Sequence, residues 1–267
     1  MALIKPTLKL CKIIYEVLLL MASFAALFWS VFPVMDNSIA DYPLPYFAWY
    51  PYDTKTSPFY EVTYAYQIMC TFFTAMTSVC IDTLIASLNM YVGTQFDLLC
   101  DDLRNLRDEE DVNKKLISCI KHHKEILSFA TNCNKFFNWI LFLQFFMSAI
   151  SLGLTMFQLT VVPSFSNEFY SLVFYFNAVF VEIFMYCWFG NEVEVKSSKI
   201  IYAVFECDWF QMSHQTKKVM IFFVSRCQKP VKVSALNLFY LSLETFVKIL
   251  RTAWSYFALV YQVTSRN

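Results

Sequence analysis

Glu244, Lys248 and Arg251 recur at i, i+4 and i+7, and Ser255 and Gln262 follow at i+11 and i+18, so a helix here carries one polar face through an otherwise apolar stretch. In lipid, Lys248 and Arg251 would each cost about 2.5–3.5 kcal/mol, a penalty that snorkelling or a water-filled vestibule largely removes. Periodicity alone leaves protein, water and a conduction path open as what the stripe faces. Two acids sit in other apolar runs. Asp82 lies about 22 residues into its run, roughly 33 Å at 1.5 Å per residue, and reads as an interfacial carboxylate. Glu182, roughly 20 Å in by the same rise, calls for an internal partner. Neither belongs to a catalytic pattern. The chain has no Gly-x-Ser-x-Gly, no His-Glu-x-x-His and no glycine-rich phosphate loop, and its 3 glycines could hardly build one. His122 and His123 are adjacent and diverge on a helix, and the 9 cysteines contain no Cys-x-x-Cys. The expectation is a protein that is not an enzyme, with no metal and no cofactor.

The elements that position these residues are membrane helices. A chain of 267 residues that is 58% hydrophobic and 19% aromatic, with mean hydropathy +0.46, is too apolar for an ordinary soluble domain. Equal counts of 21 acidic and 21 basic residues exclude the basic excess that nucleic acid binding needs. Five runs, at 13–34, 60–92, 136–162, 169–189 and 236–263, are long enough for a hydrocarbon core of about 30 Å, and they are too continuous for barrel strands. The predicted fold is all-α, a polytopic transmembrane helical bundle in one domain, surrounded by membrane lipid. Of the 21 Lys and Arg residues, 17 fall in 1–12, 93–135 and 190–235, and only Lys55 and Arg266 fall on the opposite side. That distribution predicts a cytoplasmic Met1 and an extracellular C-terminus. No cysteine falls in the predicted external loops, as reduced thiols require. An odd number of crossings with an external tail, no Asp-Arg-Tyr and no Asn-Pro-x-x-Tyr exclude a rhodopsin-like receptor.

Within the predicted cytoplasmic segment, 211–227 reads as an amphipathic helix with Ser213 as N-cap and Pro230 as stop. Val219, Phe222, Phe223 and Cys227 lie near its apolar face, with Lys217, Lys218 and Arg226 outside it.

Four stretches together resemble the insect odorant receptors, seven-helix ligand-gated cation channels of chemosensory neurons. They are Pro51-Tyr52-Asp53 with Ser57-Pro58-x-Tyr60 and Gln67; Cys119-x-x-His122-His123 with Ile126-Leu127; Gly190-Asn191-Glu192 with Ala203 and Trp209; and Gln228-Lys229-Pro230-Val231 leading through Leu241–Phe246 to Ser255-Tyr256-Phe257. The resemblance covers almost the whole chain. It implies that the five runs are helices three to seven of that plan, that the first two are absent, and that the chain is a partial or truncated gene model rather than a complete receptor. It also implies a plasma-membrane subunit of a non-selective cation channel in olfactory sensory neurons, acting with a co-receptor in a hetero-tetramer. The cytoplasmic anchor where subunits meet then falls in 97–135 and 190–235.

Carried over residue by residue, the resemblance puts the gate at Leu259 and Val263, with Gln262 between them near the outer mouth; ordinary helix packing is the alternative for the two apolar residues. Rings of apolar side chains close a pore by dewetting it, without charge. The bulky pair Val260-Tyr261 departs from the pattern expected beside a gate. The odorant cavity implied lies in the outer half of the bundle, where Phe28, Trp29, Phe72, Phe73, Met76, Phe174 and Tyr175 offer adaptable apolar walls for a small volatile ligand, with core packing as the alternative for each. Two other functions stay in view, a non-conducting fragment that only associates with intact subunits and a small transporter. A transporter should show internal repeats or Gly/Pro-broken midplane helices, and this sequence shows neither.

Overall fold

The computed structural model describes residues 4–35, 44–46, 48–106, 112–163 and 165–264. Among the described residues six α-helices follow one another: α1 (Ile4–Met35), α2 (Phe59–Arg104), α3 (Val112–Val161), α4 (Asn167–Glu206), α5 (His214–Cys227) and α6 (Leu243–Thr264). A short 3₁₀ turn (Trp209–Gln211) precedes α5, and two antiparallel two-residue strands, β1 (Ser234–Ala235) and β2 (Phe239–Tyr240), precede α6. The all-α expectation holds. At 46, 50 and 40 residues, α2, α3 and α4 reach about 60–75 Å, at least twice a hydrocarbon core, so each continues well beyond the run that spans lipid.

Serine caps explain three of the helix starts. Ser166 Oγ accepts from Phe169 N–H at 3.1 Å, Ser213 Oγ from Thr216 N–H at 3.2 Å, and Ser242 Oγ from Thr245 N–H at 3.2 Å. Threonines inside α2 return their hydroxyls to carbonyls four residues back: Thr63, Thr71, Thr74, Thr77 and Thr83 all do so at 2.6–2.8 Å. A hydroxyl satisfied within its own helix costs little in lipid.

By length and composition α1 through α4 are able to cross a membrane, and their apolar windows leave most side chains outward: 6% are buried in α1, 11% in α2 and 33% in both α3 and α4. Outward apolar faces suit helices solvated by lipid and would be untenable over such lengths in water.

The last run differs from its predicted boundary. Residues 236–242 are not helical; Leu236 and Asn237 stand at φ 49° and 55°, and the helix begins at Leu243. Left-handed backbone at a leucine costs about 1–2 kcal/mol, so surrounding contacts must impose it.

The chain divides into two compact units. The first comprises 1–11, 85–149 and 183–252, and the second 12–84, 150–182 and 253–267. The first has a dense core in which Phe96, Leu99, Leu103, Ile200, Ala203 and Ala235 are fully buried. Lys196 pairs with Asp97 at 2.7 Å, Lys232 with Glu194 at 3.0 Å, and Arg104 with Glu206. In the second unit Tyr64 Oη donates to the Ser30 carbonyl at 2.5 Å and joins α2 to α1, while Gln67 both donates to and accepts from the Tyr46 backbone at 3.0 Å.

Candidate functional site

The face of α6 that its neighbours cover is set by Phe246 and Ala253, both buried. Phe246 meets Phe184 edge to face at 5.4 Å. Further along, Tyr256 lies so close to α3 that a Cβ at Gly153 would meet its ring at 2.5 Å, which accounts for one of the chain's 3 glycines. At the start of the helix, a Cβ on Gly190 would run into Leu241, including its carbonyl oxygen at 2.5 Å. Gly190 therefore permits the backbone approach that seats the beginning of α6.

The opposite face is exposed: Glu244, Lys248, Arg251, Ser255, Leu259, Gln262 and Val263. Glu244 and Lys248 pair at 2.6 Å, an i,i+4 contact worth little in an exposed setting. At about 100° per residue, Glu244, Lys248, Arg251, Ser255 and Gln262 lie within roughly 40° of one line along the helix. Leu259 falls about 60° from the Gln262 line and Val263 about 100° from it by the same geometry, so both sit beside the polar stripe. Leu259 is 61% exposed and Val263 57%.

The seven predicted ligand residues all lie in the second unit. The structure gathers some of them and not others. Phe174 on α4 meets Phe28 on α1 at 6.2 Å and Phe24 at 5.7 Å, and Trp29 stacks on Tyr46 at 6.0 Å. Phe72 is half-buried, while Phe73 is 77% exposed, with Met76 and Tyr175 exposed as well. Phe24 and Tyr46, which make these contacts, were not among the predicted residues. Phe24 sits one turn before Phe28, a spacing that could have found it; Tyr46 lies in a loop, where periodicity says nothing.

A cavity of about 810 Å³ was not foreseen and belongs to the first unit. Phe142, Phe146 and Ile249 form apolar wall, and the pairs Lys232–Glu194 and Lys248–Glu244 line it too. Lys232 also stands over the Tyr240 ring at 5.1 Å.

The adjacent histidines take different partners. His122 Nε2 meets Gln95 Oε1 at 3.0 Å, whereas His123 is buried, edge-on to Phe223 at 5.3 Å with Cys227 Sγ at 4.0 Å. His123 and Cys227 lie outside the runs read as membrane-spanning. Burial, with Arg226 and His122 nearby, pushes His123 down to about 4, and burial pushes the Cys227 thiol up to about 12. Both are neutral packing groups. The buried face of α5 is Thr216, Met220, Phe223 and Cys227; of the predicted set, Phe223 and Cys227 belong to it, and Val219 and Phe222 do not. Thr216 is drawn inward by Asn113, whose Oδ1 accepts its hydroxyl at 2.5 Å, and this rotation leaves Val219, Ile221 and Phe222 exposed. Asp82 and Glu182 are both half-buried and both have interaction partners.

The profile of the 7tm Odorant receptor family matches residues 5–254, nearly the whole chain. The chain belongs to the insect odorant receptor family. That membership makes it a multi-pass membrane protein of a family of receptors, not of enzymes. Among relatives, this chain is 25% identical over 227 residues to odorant receptor 10 of Aedes albopictus, covering 82% of this chain and 60% of that one. It is 25% identical over 279 residues to odorant receptor Or1 of Anopheles gambiae, covering 93% and 66%. The insect olfactory receptor OR5 from Machilis hrabei, whose structure is solved in complex with eugenol, superposes with a TM-score of 0.89 at 21% identity over 98% of this chain and 69% of that one. That likeness concerns the fold. The chain spans about 60% of the length of the relatives it matches.

Proposed function

We propose that this chain is a subunit of an odorant-gated, non-selective cation channel in the plasma membrane of olfactory sensory neurons, acting with a co-receptor in a tetramer, its C-terminus extracellular. The observation that carries the reading is the outer face of α6. A polar stripe runs along a helix of 22 residues, with the apolar Leu259 and Val263 beside it, and all of these side chains are exposed in the single chain. Around a symmetry axis, copies of that face would form a wet vestibule closed by apolar rings, with Leu259 and Val263 as gate and Gln262 between them. The anchor between subunits lies in 97–135 and 190–235. Val219, Ile221 and Phe222 on α5 supply an apolar face for it, where a membrane surface would be the competing partner.

The ligand is a small volatile apolar molecule; the Machilis hrabei receptor is solved in complex with the small molecule eugenol. Phe28, Trp29, Phe72, Phe73, Met76, Phe174 and Tyr175 are its proposed contacts, joined by Phe24, whose ring meets Phe174. Apolar walls of this type select by shape more than by hydrogen bonding.

Co-expression with the co-receptor tests assembly. Co-purification of the two chains, and ligand-evoked cation current from cells that make both, is the expected result. Association without current would favour the non-conducting fragment, and failure to associate at good expression of both would refute the shared anchor.

A further inference from the structure

We propose that Asn134 and Asn138 on α3 are positioning residues for α6, holding the hairpin 234–240 in a strained form that fixes where the pore helix begins. The inference rests on the channel reading above. Two strands of two residues each cannot hold themselves in shape. Both central residues of the turn, Leu236 and Asn237, stand at positive φ, and neither is glycine. The conformation is therefore imposed from outside, and the imposing groups are plain. Asn134 Oδ1 accepts from Ser234 N–H at 2.9 Å, its Nδ2 donates to Ser234 Oγ at 3.2 Å, and that hydroxyl donates on to Asn237 Oδ1 at 3.1 Å. One helical turn along α3, Asn138 Oδ1 accepts from Leu236 N–H. Each amide thus grips a backbone N–H on the strand or at the turn.

The chain beyond the hairpin is tied to it. Leu241 N–H donates to the Val233 carbonyl at 2.8 Å, Leu241 itself is pressed against Gly190 of α4, and Ser242 caps α6. Phe239 packs on Phe145 of α3 at 5.3 Å. Between the grip of α3 and the first residue of α6 there is no slack, so a shift of α3 is carried to the start of α6. The strain at Leu236 makes the coupling sensitive, because the grip is what opposes relaxation of the turn.

The test uses the full-length product of the gene, co-expressed with its co-receptor. Eugenol is the first probe, followed by a panel of small apolar volatiles until one evokes current from the unsubstituted complex. Asn138→Leu, which keeps the bulk and removes the acceptor, is expected to raise the half-maximal concentration about tenfold, the effect of one lost buried hydrogen bond. Surface level and reversal potential should stay as they were. Asn138→Asp keeps the acceptor and should retain near-normal sensitivity, and adding Leu236→Gly to Asn138→Leu should restore it, since glycine adopts positive φ freely. Unchanged sensitivity of Asn138→Leu at normal surface level, or a moved reversal potential, would overturn the proposal. Should Asn138→Leu not reach the surface, Ser234→Ala removes only the hydroxyl links, and a rise of about threefold is expected on the same reasoning; no rise overturns the proposal. If no volatile evokes current, the channel reading fails by itself. Hydrogen exchange on the purified chain then decides the clamp: faster exchange over 234–245 in Asn138→Leu supports it, and unchanged exchange refutes it.

Discussion

At the scale of single residues, the side chains that look reactive are mostly packing groups. His123 is the plainest case. Its folded-state pKa, pushed down to about 4, lies below the ordinary 6.5, so the unfolded chain binds the proton first as pH falls. Its contribution to stability is whole above 6.5 and is lost as pH drops toward 4, amounting to at most about 2 kcal/mol by pH 5. Thermal unfolding of the detergent-solubilised protein between pH 7 and 5 should therefore show a smaller drop in Tm for His123→Phe than for the unsubstituted chain. Equal drops would mean that His123 is already charged or exposed. Gly190 makes a second prediction. Gly190→Ala puts a methyl group into Leu241, so overpacking should destabilise the protein by about 1–3 kcal/mol, read as a lower Tm, while Gly93→Ala, facing only the flexible Lys196 chain, should cost less.

At the scale of elements, helices were legible wherever composition was one-sided for long enough. The runs at 13–34, 60–92 and 169–189 fall inside α1, α2 and α4, and the run at 136–162 overruns the end of α3 by one residue, because twenty apolar residues in lipid have no alternative to a helix. Ser213 was legible as an N-cap for the same kind of reason, a short side chain placed just ahead of the apolar period. The start of α6 was not. Residues 236–242 are as apolar as the helix they precede, and what turns them into a hairpin lies about a hundred residues away, in Asn134 and Asn138. The buried face of α5 was misassigned because Val219 and Phe222 outweigh Thr216 in any apolar count, whereas the hydrogen bond from Thr216 to Asn113 sets the rotation. Ser242→Ala removes one such local determinant. It should cost about 1 kcal/mol by loss of the cap and fray the first turn of α6, detectable as faster amide exchange at 243–246. Unchanged exchange there would show that Leu241 and Gly190 seat the helix unaided.

At the scale of the whole molecule, family membership and fold are secure, and the candidate site was legible in part. The polar stripe of α6 could be read from spacing alone, since one continuous helix carries it. The proposed ligand cluster could not, because Phe28 and Phe174 meet only through the packing of α1 on α4. Orientation rests on the basic residues. A tag placed after Asn267 should stain on intact cells, and a need for permeabilisation would reverse the assignment of sides. The central claim is that α6 lines a gated pore, and it is tested most directly by ligand-free current. With the full-length product and its co-receptor at normal surface level, Val263→Ser should make the apolar constriction easier to wet and raise resting cation current, while Gln262→Glu should shift divalent permeability more than leak. Resting current and reversal potential unchanged in both substitutions would contradict the account and leave α6 as a helix that packs without lining a pore.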